Sequence, residues 1–265
     1  MRIQNNVSAL NALNNVSKNE NKLTANIKKL SSGYKINSAA DDAAGLAISE
    51  KMRSQIRGLG KAIQNANDGV SAAETAEGSM QEVTNILQRM RELAVQATNS
   101  GTYSSAQLGD LNKEFKALND EIDRIATSAT YNGTSISGGK FSFMVDADGK
   151  QAITMDVRNF KELTKGLEIT DATKAQAAIG TLDSKLQEVT SARADIVAVV
   201  NRLDYTVNNL TTMKENITQA ESRIRDVDMS AEYVEMTKNS VLNQASVAML
   251  SQANSTTQNV LSLIR

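Results

Sequence analysis

Apolar residues recur at spacings of three and four along most of the chain. In the first run, Ile3 is followed by Val7, Leu10 and Leu13. This spacing places apolar side chains on one face of an α-helix, so it predicts amphipathic helices. Five segments show the pattern, and they cover residues 3–30, 46–98, 105–128, 175–224 and 230–265.

The second and fourth runs keep a heptad-like seam over most of their length. Only Glu77 and Thr84 interrupt the second, whereas the fourth carries Arg193, Lys214 and Glu221 on its seam. Sustained heptads are typical of coiled coils, and a charged seam residue can fix helix register. At 1.5 Å per residue, these helices would be roughly 80 Å and 75 Å long. We therefore expect them to lie side by side, with the third helix folded back on them, as an elongated helical-bundle rod.

The pattern changes to strict alternation over residues 141–157. Phe141 and Phe143 alternate with polar residues, and the pair Asp148-Gly149 follows. An Asp-Gly pair between two alternating segments is a strong hairpin signal. We therefore predict one small β-hairpin over 141–157 in a mostly α-helical chain. A calcium loop at "DADG" is the alternative, but the sequence supplies no further oxygen ligands at the required spacing.

Two breaks divide the predicted helices into three parts. Residues 31–45 form the first break, in which Gly33 is expected to end the first helix, and "RDVDMS" forms the second. The domains predicted from these breaks are an N-terminal helical segment, a rod with helices and hairpin, and a C-terminal helical segment, at residues 1–44, 45–224 and 225–265.

Pairs of aspartates precede two of the predicted helices. Asp41 and Asp42 lie before the second run, and Asp226 and Asp228 lie before the last. Carboxylates at a helix N-terminus complement the helix dipole. We prefer this interpretation to acid–base catalysis, because neither a nucleophile nor a pocket is indicated nearby.

Composition excludes several classes of function. The chain has 29 basic and 30 acidic residues, so no basic field attracts nucleic acid. It has no His and no Cys, which excludes the triads and common zinc sites that use them. We expect no enzymatic activity and no cofactor. The absence of Pro suits long helices. No apolar run is long enough to span a membrane, and no signal-peptide pattern opens the chain.

The two terminal helices carry apolar positions beyond those that one helix–helix seam can bury. A pair of such helices would leave other apolar faces in water, and isolated helices are marginally stable. We therefore expect the termini to be loose in the monomer and to become ordered against other copies of the chain. A contact that repeats from subunit to subunit without closing produces an open helical filament.

Several long segments resemble bacterial flagellin. They are "SSGYKINSAADDAAGLAIS" (31–49), "LQRMRELAVQATN" (87–99), "EIDRIATSATYNG" (121–133) and "SRIRDVDMSAEYVEMTKNSVLNQASVAMLSQAN" (222–254). The chain resembles a minimal flagellin that lacks the variable outer domains. The resemblance implies that the terminal helices pair in an inner-core domain and line the filament channel. The subunit-assembly residues that it implies are Ile3, Val7, Leu10, Leu13, Leu242, Met249, Val260, Leu261, Leu263 and Ile264.

The resemblance also implies a function, a location and a set of partners. The chain would be a structural subunit of the flagellar filament that serves swimming motility. It would leave the cytoplasm as an unfolded monomer through type III export and reside in the extracellular filament. The partners implied are other copies in a homopolymer, an export chaperone at the C-terminal helix, the filament cap, and the hook–filament junction proteins.

The segment "LQRMREL" (87–93) resembles the flagellin patch that a vertebrate Toll-like receptor recognises. Residue-by-residue matching implies receptor contacts by Arg89, Leu93 and Gln96, with Glu114 on the next helix. The alternative is a packing role, in which the apolar residues are core and the charged ones face solvent. Two alternatives to the filament subunit also stay open: a hook–filament junction protein, and another coiled-coil scaffold that forms a discrete oligomer.

Overall fold

The computed structural model describes residues 6–99, 101 and 103–264, except the side chains of residues 257 and 260–264. The described chain is mostly helical, which confirms the predicted fold class. It forms five helices: α1 (Val7–Ser32), α2 (Ala43–Thr98), α3 (Ser105–Ser128), α4 (Ala172–Arg225) and α5 (Met229–Ile264). Four short strands lie between α3 and α4: β1 (Thr130–Tyr131), β2 (Thr134–Ser135), β3 (Lys140–Met144) and β4 (Ala152–Asp156).

Local side-chain chemistry explains where several helices begin and end. Gly33 adopts φ +74° and donates its N–H to the Lys29 carbonyl at 2.9 Å, so it ends α1 as the sequence predicts. Asp42 accepts the N–H of Gly45 at 2.9 Å at the start of α2. Asp228 accepts the N–H groups of residues 230 and 231 at the start of α5. Both aspartates therefore satisfy helix N–H groups that would otherwise lack partners.

The chain divides into two compact units. The central unit is residues 55–215, and the terminal unit combines residues 1–54 with residues 216–265. The central unit contains one large apolar core that draws on α2, α3, α4 and the strand region. Its largest fully buried side chains are Met80, Leu87, Met90, Leu93, Phe115, Ile122, Ile136, Met155, Phe160, Ile169, Leu182 and Ile196.

Two polar residues on the predicted seams pair with each other. The Arg193 guanidinium on α4 donates to Glu77 Oε1 on α2 at 2.5 Å. The Nε atom of Arg193 is buried and donates no hydrogen bond. Thr84, which also interrupts the α2 seam, donates its hydroxyl to the Met80 carbonyl at 2.8 Å. The polar groups on this seam therefore mostly find partners within it.

The hairpin of β3 and β4 packs directly on α2. The strands are antiparallel, and Gly149 turns between them with φ +69°. A Cβ atom at Gly69 would lie 2.9 Å from the Phe143 ring, and one at Gly58 would lie 2.9 Å from the Ala147 carbonyl oxygen. Glycine at these two helix positions therefore permits the close approach of the hairpin.

A second, smaller hairpin of β1 and β2 was not predicted. Thr130 pairs with Ser135, and Tyr131 pairs with Thr134. Asn132 and Gly133, which form its turn, have φ values of +47° and +79°. Positive φ at both central residues is the pattern that Asn-Gly favours in a two-residue hairpin turn.

In the terminal unit, α1 and α5 pack against each other as antiparallel helices. The two breaks between helices, at residues 31–45 and 225–230, also contact each other. Tyr34 forms an isolated antiparallel bridge with Asp226, and the Lys35 N–H donates to the Arg225 carbonyl at 2.7 Å. The Arg225 guanidinium lies 4.9 Å from the centre of the Tyr34 ring and donates to Glu50 Oε1 at 2.5 Å. That hydrogen bond raises the pKa of Arg225. The breaks are thus held together by backbone and side-chain contacts.

Candidate functional site

Polar groups hold the interface between α1 and α5 in register. Asn26 Nδ2 on α1 donates to Glu232 Oε1 on α5 at 2.8 Å, and Asn239 Nδ2 donates back to Asn26 Oδ1 at 3.2 Å. Both asparagines are buried. Nearer the N-terminus of α1, Asn19 donates to the Ser246 hydroxyl at 3.0 Å. Shifting one helix along the other would break these pairs, so they fix one alignment of the two helices.

The terminal unit buries few apolar side chains. Of the 35 buried apolar residues in the described part of the chain, only Val16 and Ile36 belong to it. The same unit carries 12 of the 17 exposed large apolar residues of that part, although it is the smaller unit. These twelve are Val7, Leu10, Leu13, Ile27, Ile48, Met229, Tyr233, Val234, Val241, Leu242, Val247 and Met249.

Exposed residues of α5, apolar at every position except Thr237, form a row that we call the α5 ridge. It consists of residues spaced by four, namely Met229, Tyr233, Thr237, Val241, Ala245 and Met249, all of them exposed. Side chains spaced by four are neighbours on a helix surface, so they form one row, which winds around the helix axis along its length. Val234 and Leu242 lie beside this row and line an open groove with it.

Three apolar residues near the start of α1 are also exposed. Val7, Leu10 and Leu13 are spaced by three and are all exposed, whereas Val16 is buried. Residues spaced by three are neighbours on a helix surface, but the row turns by about 60° at each step, which brings Val16 to the buried side. These three residues and the α5 ridge with its groove supply most of the exposed apolar surface of the terminal unit.

The structure places the predicted assembly residues as follows. Five of them are described with their side chains, and those side chains are 43% to 65% exposed: Val7, Leu10, Leu13, Leu242 and Met249. Ile3 lies outside the described residues. The backbone of α5 continues to Ile264, but the side chains of Val260, Leu261, Leu263 and Ile264 lie outside the described part.

A polar patch on α2 and α3 contains three of the four predicted receptor contacts. The Arg89 guanidinium donates to Glu114 Oε1 at 2.8 Å and to Glu92 Oε2 at 3.1 Å. The hydrogen bond to Glu114 is the main cause that raises the pKa of Arg89. Gln96 Nε2 donates to the Tyr103 hydroxyl at 2.9 Å. Arg89, Gln96 and Glu114 are therefore held on the surface by neighbouring side chains.

Leu93 does not belong to this surface. Its side chain is 1% exposed and packs in the large core of the central unit. A partner that binds this conformation therefore cannot contact the Leu93 side chain directly. The apolar seam of α2 explains this position, since Leu93 follows Met90 by three residues along the buried face.

Two kinds of functional element were not found among the described residues. Among them, no three Asp or Glu side chains lie close enough to hold a metal ion. No helix of the described part is long and apolar enough to span a bilayer. What the geometry does present is a helical chain with a well-packed central unit and a terminal unit whose apolar side chains largely face solvent.

Comparisons with known proteins agree with this picture. The chain matches the bacterial flagellin N-terminal helical region over residues 3–141 and the flagellin C-terminal helical region over residues 168–264. It is 43% identical to a flagellin of Bacillus subtilis over 304 aligned positions, which cover 100% of each chain.

Two solved structures share its fold. A crystal structure of Bacillus cereus flagellin is 33% identical, with a TM-score of 0.52, and the match covers 60% of this chain and 94% of that one. A flagellar hook-associated protein from Vibrio parahaemolyticus gives a TM-score of 0.60 and covers 70% of this chain and 100% of that one. At 14% identity, the second similarity shows the fold alone.

The fold and the flagellin relatives define a helical structural protein of a filament. The chain belongs to the bacterial flagellin family, because both terminal regions and the full-length relative match. It is a structural subunit of the flagellar filament, which lies outside the cell.

Proposed function

We propose that this subunit polymerises through the exposed apolar surfaces of α1 and α5 and that the resulting filament serves swimming motility. The observation that carries the proposal is the contrast between the two units. The terminal unit holds two of the 35 buried apolar residues but 12 of the 17 exposed large ones in the described part of the chain. Contiguous exposed apolar surface on a soluble protein marks an interaction site.

The size of this surface suits a polymer contact. Burying the exposed half of one large aliphatic side chain contributes about 1 kcal/mol. The twelve exposed apolar residues of the terminal unit would therefore contribute about 10 kcal/mol if neighbouring copies covered all of them. That gain is comparable to the 4–15 kcal/mol that association costs. One weak pairwise contact would not suffice, so several neighbours must share the surface, as happens in a helical filament.

Charge placed on this surface should prevent polymerisation without unfolding the chain. Leu10→Glu and Val241→Glu each introduce a carboxylate at an exposed helix position, so the monomer should keep its helix content. Met144→Glu is the matched control, because Met144 is also an exposed apolar residue but lies on the β3 strand of the central unit. The assay is negative-stain electron microscopy and sedimentation after addition of filament seeds or precipitant.

The expected result is long filaments from the unaltered chain and from Met144→Glu, and none from the other two variants. Normal filaments from both Leu10→Glu and Val241→Glu would contradict the proposed surface. A small discrete oligomer of the unaltered chain under every condition would instead favour the hook–filament junction or scaffold alternative. Motility is tested by spreading in soft agar of a strain whose only flagellin is the chain under study.

The finer expectations about export and partners belong to the same proposal. The monomer leaves the cytoplasm unfolded through the type III apparatus, and a chaperone shields the α5 ridge until then. The support is the exposure of that ridge in a single copy, which would otherwise favour premature association. The cap and the hook–filament junction proteins contact the same terminal surfaces at the two ends of the filament. Val241→Glu should therefore weaken binding of the purified chaperone, and Met144→Glu should not.

Recognition of the monomer by a Toll-like receptor is the last element of the proposal. The surface concerned is formed by Arg89, Gln96 and Glu114, and Leu93 supports it from the core. The support is that the Arg89–Glu114 pair fixes both side chains across two helices. Arg89→Ala should weaken binding of the monomer to an immobilised receptor ectodomain, whereas Lys113→Ala, one residue from Glu114, should not.

A further inference from the structure

Methionine is the main oxidisable residue of this chain. The chain has ten methionines but no Cys, no Trp and no His. Three methionines of the central unit, Met80, Met90 and Met155, are at most 1% exposed. A peroxide in solution therefore reaches only part of the methionine set, because oxidation of a thioether requires access to its sulfur.

The most exposed methionine of the described chain lies on the α5 ridge. Met249 is 65% exposed and Met229, at the other end of the ridge, is 51% exposed. Two further methionines, Met144 and Met213, are also exposed but belong to the central unit. Among the residues that the structure describes, the exposed methionines thus form two pairs, one on the ridge and one away from it.

We propose that Met229 and Met249 are an oxidative modification site whose conversion to methionine sulfoxide blocks polymerisation of the subunit. The inference rests on the proposed function, since it assigns a consequence to the α5 ridge only as an assembly surface. The chemical class of the reagent is a peroxide, of which hydrogen peroxide is the simplest member. The modified subunit stays folded, because both side chains are already more than half exposed in the monomer.

The reaction balances with peroxide as the only oxidant. The thioether sulfur attacks one peroxide oxygen, a sulfur–oxygen bond forms, and the oxygen–oxygen bond breaks. The second oxygen leaves as water, so sulfur loses two electrons and peroxide gains them. Two thiols can reverse the step by forming a disulfide and releasing the oxygen as water. The modification is therefore reversible in principle by a thiol-dependent reductase.

Conversion of the thioether to the sulfoxide changes the polarity of the α5 ridge much more than its shape. A thioether is apolar and flexible, whereas a sulfoxide is polar and accepts hydrogen bonds. Burying it against a neighbouring copy would leave that acceptor without water. A subunit already in a filament would be protected, because the neighbouring copy covers the sulfur atoms. Oxidation would therefore act on monomers and spare the polymer.

The test compares three full-length chains: the unaltered chain, Met229→Leu/Met249→Leu, and the matched control Met144→Leu/Met213→Leu. Leucine keeps an apolar side chain and helix propensity but cannot be oxidised by peroxide. Each monomer is treated with hydrogen peroxide, sulfoxides are located by peptide mass spectrometry, and the critical concentration for seeded polymerisation is measured by sedimentation. Circular dichroism checks that the treated monomers remain folded.

We expect oxidation to raise the critical concentration about tenfold for the unaltered chain and for the Met144→Leu/Met213→Leu control. Met229→Leu/Met249→Leu should change by less than about twofold, since its ridge stays apolar. The inference is overturned if this variant loses assembly as much as the unaltered chain, or if the oxidised unaltered chain polymerises normally. If the untreated chain and its untreated variants form no filaments, the proposed function fails and this inference fails with it.

Discussion

Replacing Glu77 by leucine should destabilise the central unit more than removal of an exposed charge would. Glu77 Oε1 accepts from the Arg193 guanidinium at 2.5 Å, and the two side chains are only 33% and 24% exposed. The Arg193 Nε atom is already buried without an acceptor. Glu77→Leu therefore leaves a half-buried cation with neither its counter-charge nor its main hydrogen bond.

The expected loss of stability follows from the partial burial of the Glu77–Arg193 pair. Two charges about 4 Å apart attract by about 4 kcal/mol at an effective dielectric constant near 20, and desolvation offsets part of this. Breaking a fully buried pair costs about 3–5 kcal/mol, so a partly exposed pair should cost about 2 kcal/mol. The double variant Glu77→Leu/Arg193→Leu restores an apolar seam and should lie within about 1 kcal/mol of the unaltered chain.

The assay is thermal and chemical unfolding of the monomer followed by circular dichroism. A loss of about 2 kcal/mol should lower the midpoint by roughly 4–8 °C for a domain of this size. Glu77→Gln is the control, because it keeps the shape and one acceptor while it removes the charge. Its unfolding midpoint should fall between those of the unaltered chain and Glu77→Leu. The reasoning would be refuted if Glu77→Leu were as stable as the unaltered chain and the double-mutant cycle showed no coupling between residues 77 and 193.

The remaining predictions concern two glycines of α2 and the effect of pH on the turn that contains Asp41. Gly69→Ala should lower stability by about 1–2 kcal/mol, because the new Cβ would lie 2.9 Å from the Phe143 ring. Gly78→Ala in the same helix has open space around it and should raise stability by up to about 1 kcal/mol; unfolding midpoints that shift in the same direction would contradict this. The Asp41 carboxylate accepts hydrogen bonds from the Ser38 hydroxyl and from two backbone N–H groups. These bonds lower the pKa of Asp41, and the bond from the Ser38 hydroxyl has the largest effect. The lowered folded-state pKa means that Asp41 stabilises its turn above the unfolded pKa and loses this effect as pH falls through the folded value. In NMR spectra, the amide signals of residues 37–41 should change as the pH is lowered in the unaltered chain, because the turn loses its hydrogen bonds. The same signals should show no such pH dependence in Asp41→Asn.

The elements that local patterns specify were predicted from the sequence. The spacing of apolar residues gave the helices, Gly33 gave the end of α1, and Asp148-Gly149 gave the turn between β3 and β4. These features depend on residues close in sequence, so one segment contains the information. The β1–β2 hairpin could have been found in the same way, because Asn132-Gly133 is a strong local turn signal.

Contacts between distant segments were not predictable from pattern. The bridge of Tyr34 with Asp226 joins two breaks that lie far apart in sequence, and neither break has strand character. The pairing of Glu77 with Arg193 was likewise not foreseen, although each was recognised as a polar seam residue. The burial of Leu93 agrees with the apolar seam of α2, whereas its role in receptor contact stays a prediction.

The most direct test of the central claim is the accessibility of single cysteines before and after polymerisation. The chain has no native cysteine, so Leu10→Cys and Val241→Cys each provide one reactive thiol on the exposed apolar surface of the terminal unit. If that surface is the subunit contact, a maleimide should label both monomers readily and label both filaments at least about tenfold more slowly. Equal labelling rates in monomer and filament would show that the contact lies elsewhere and would contradict the account.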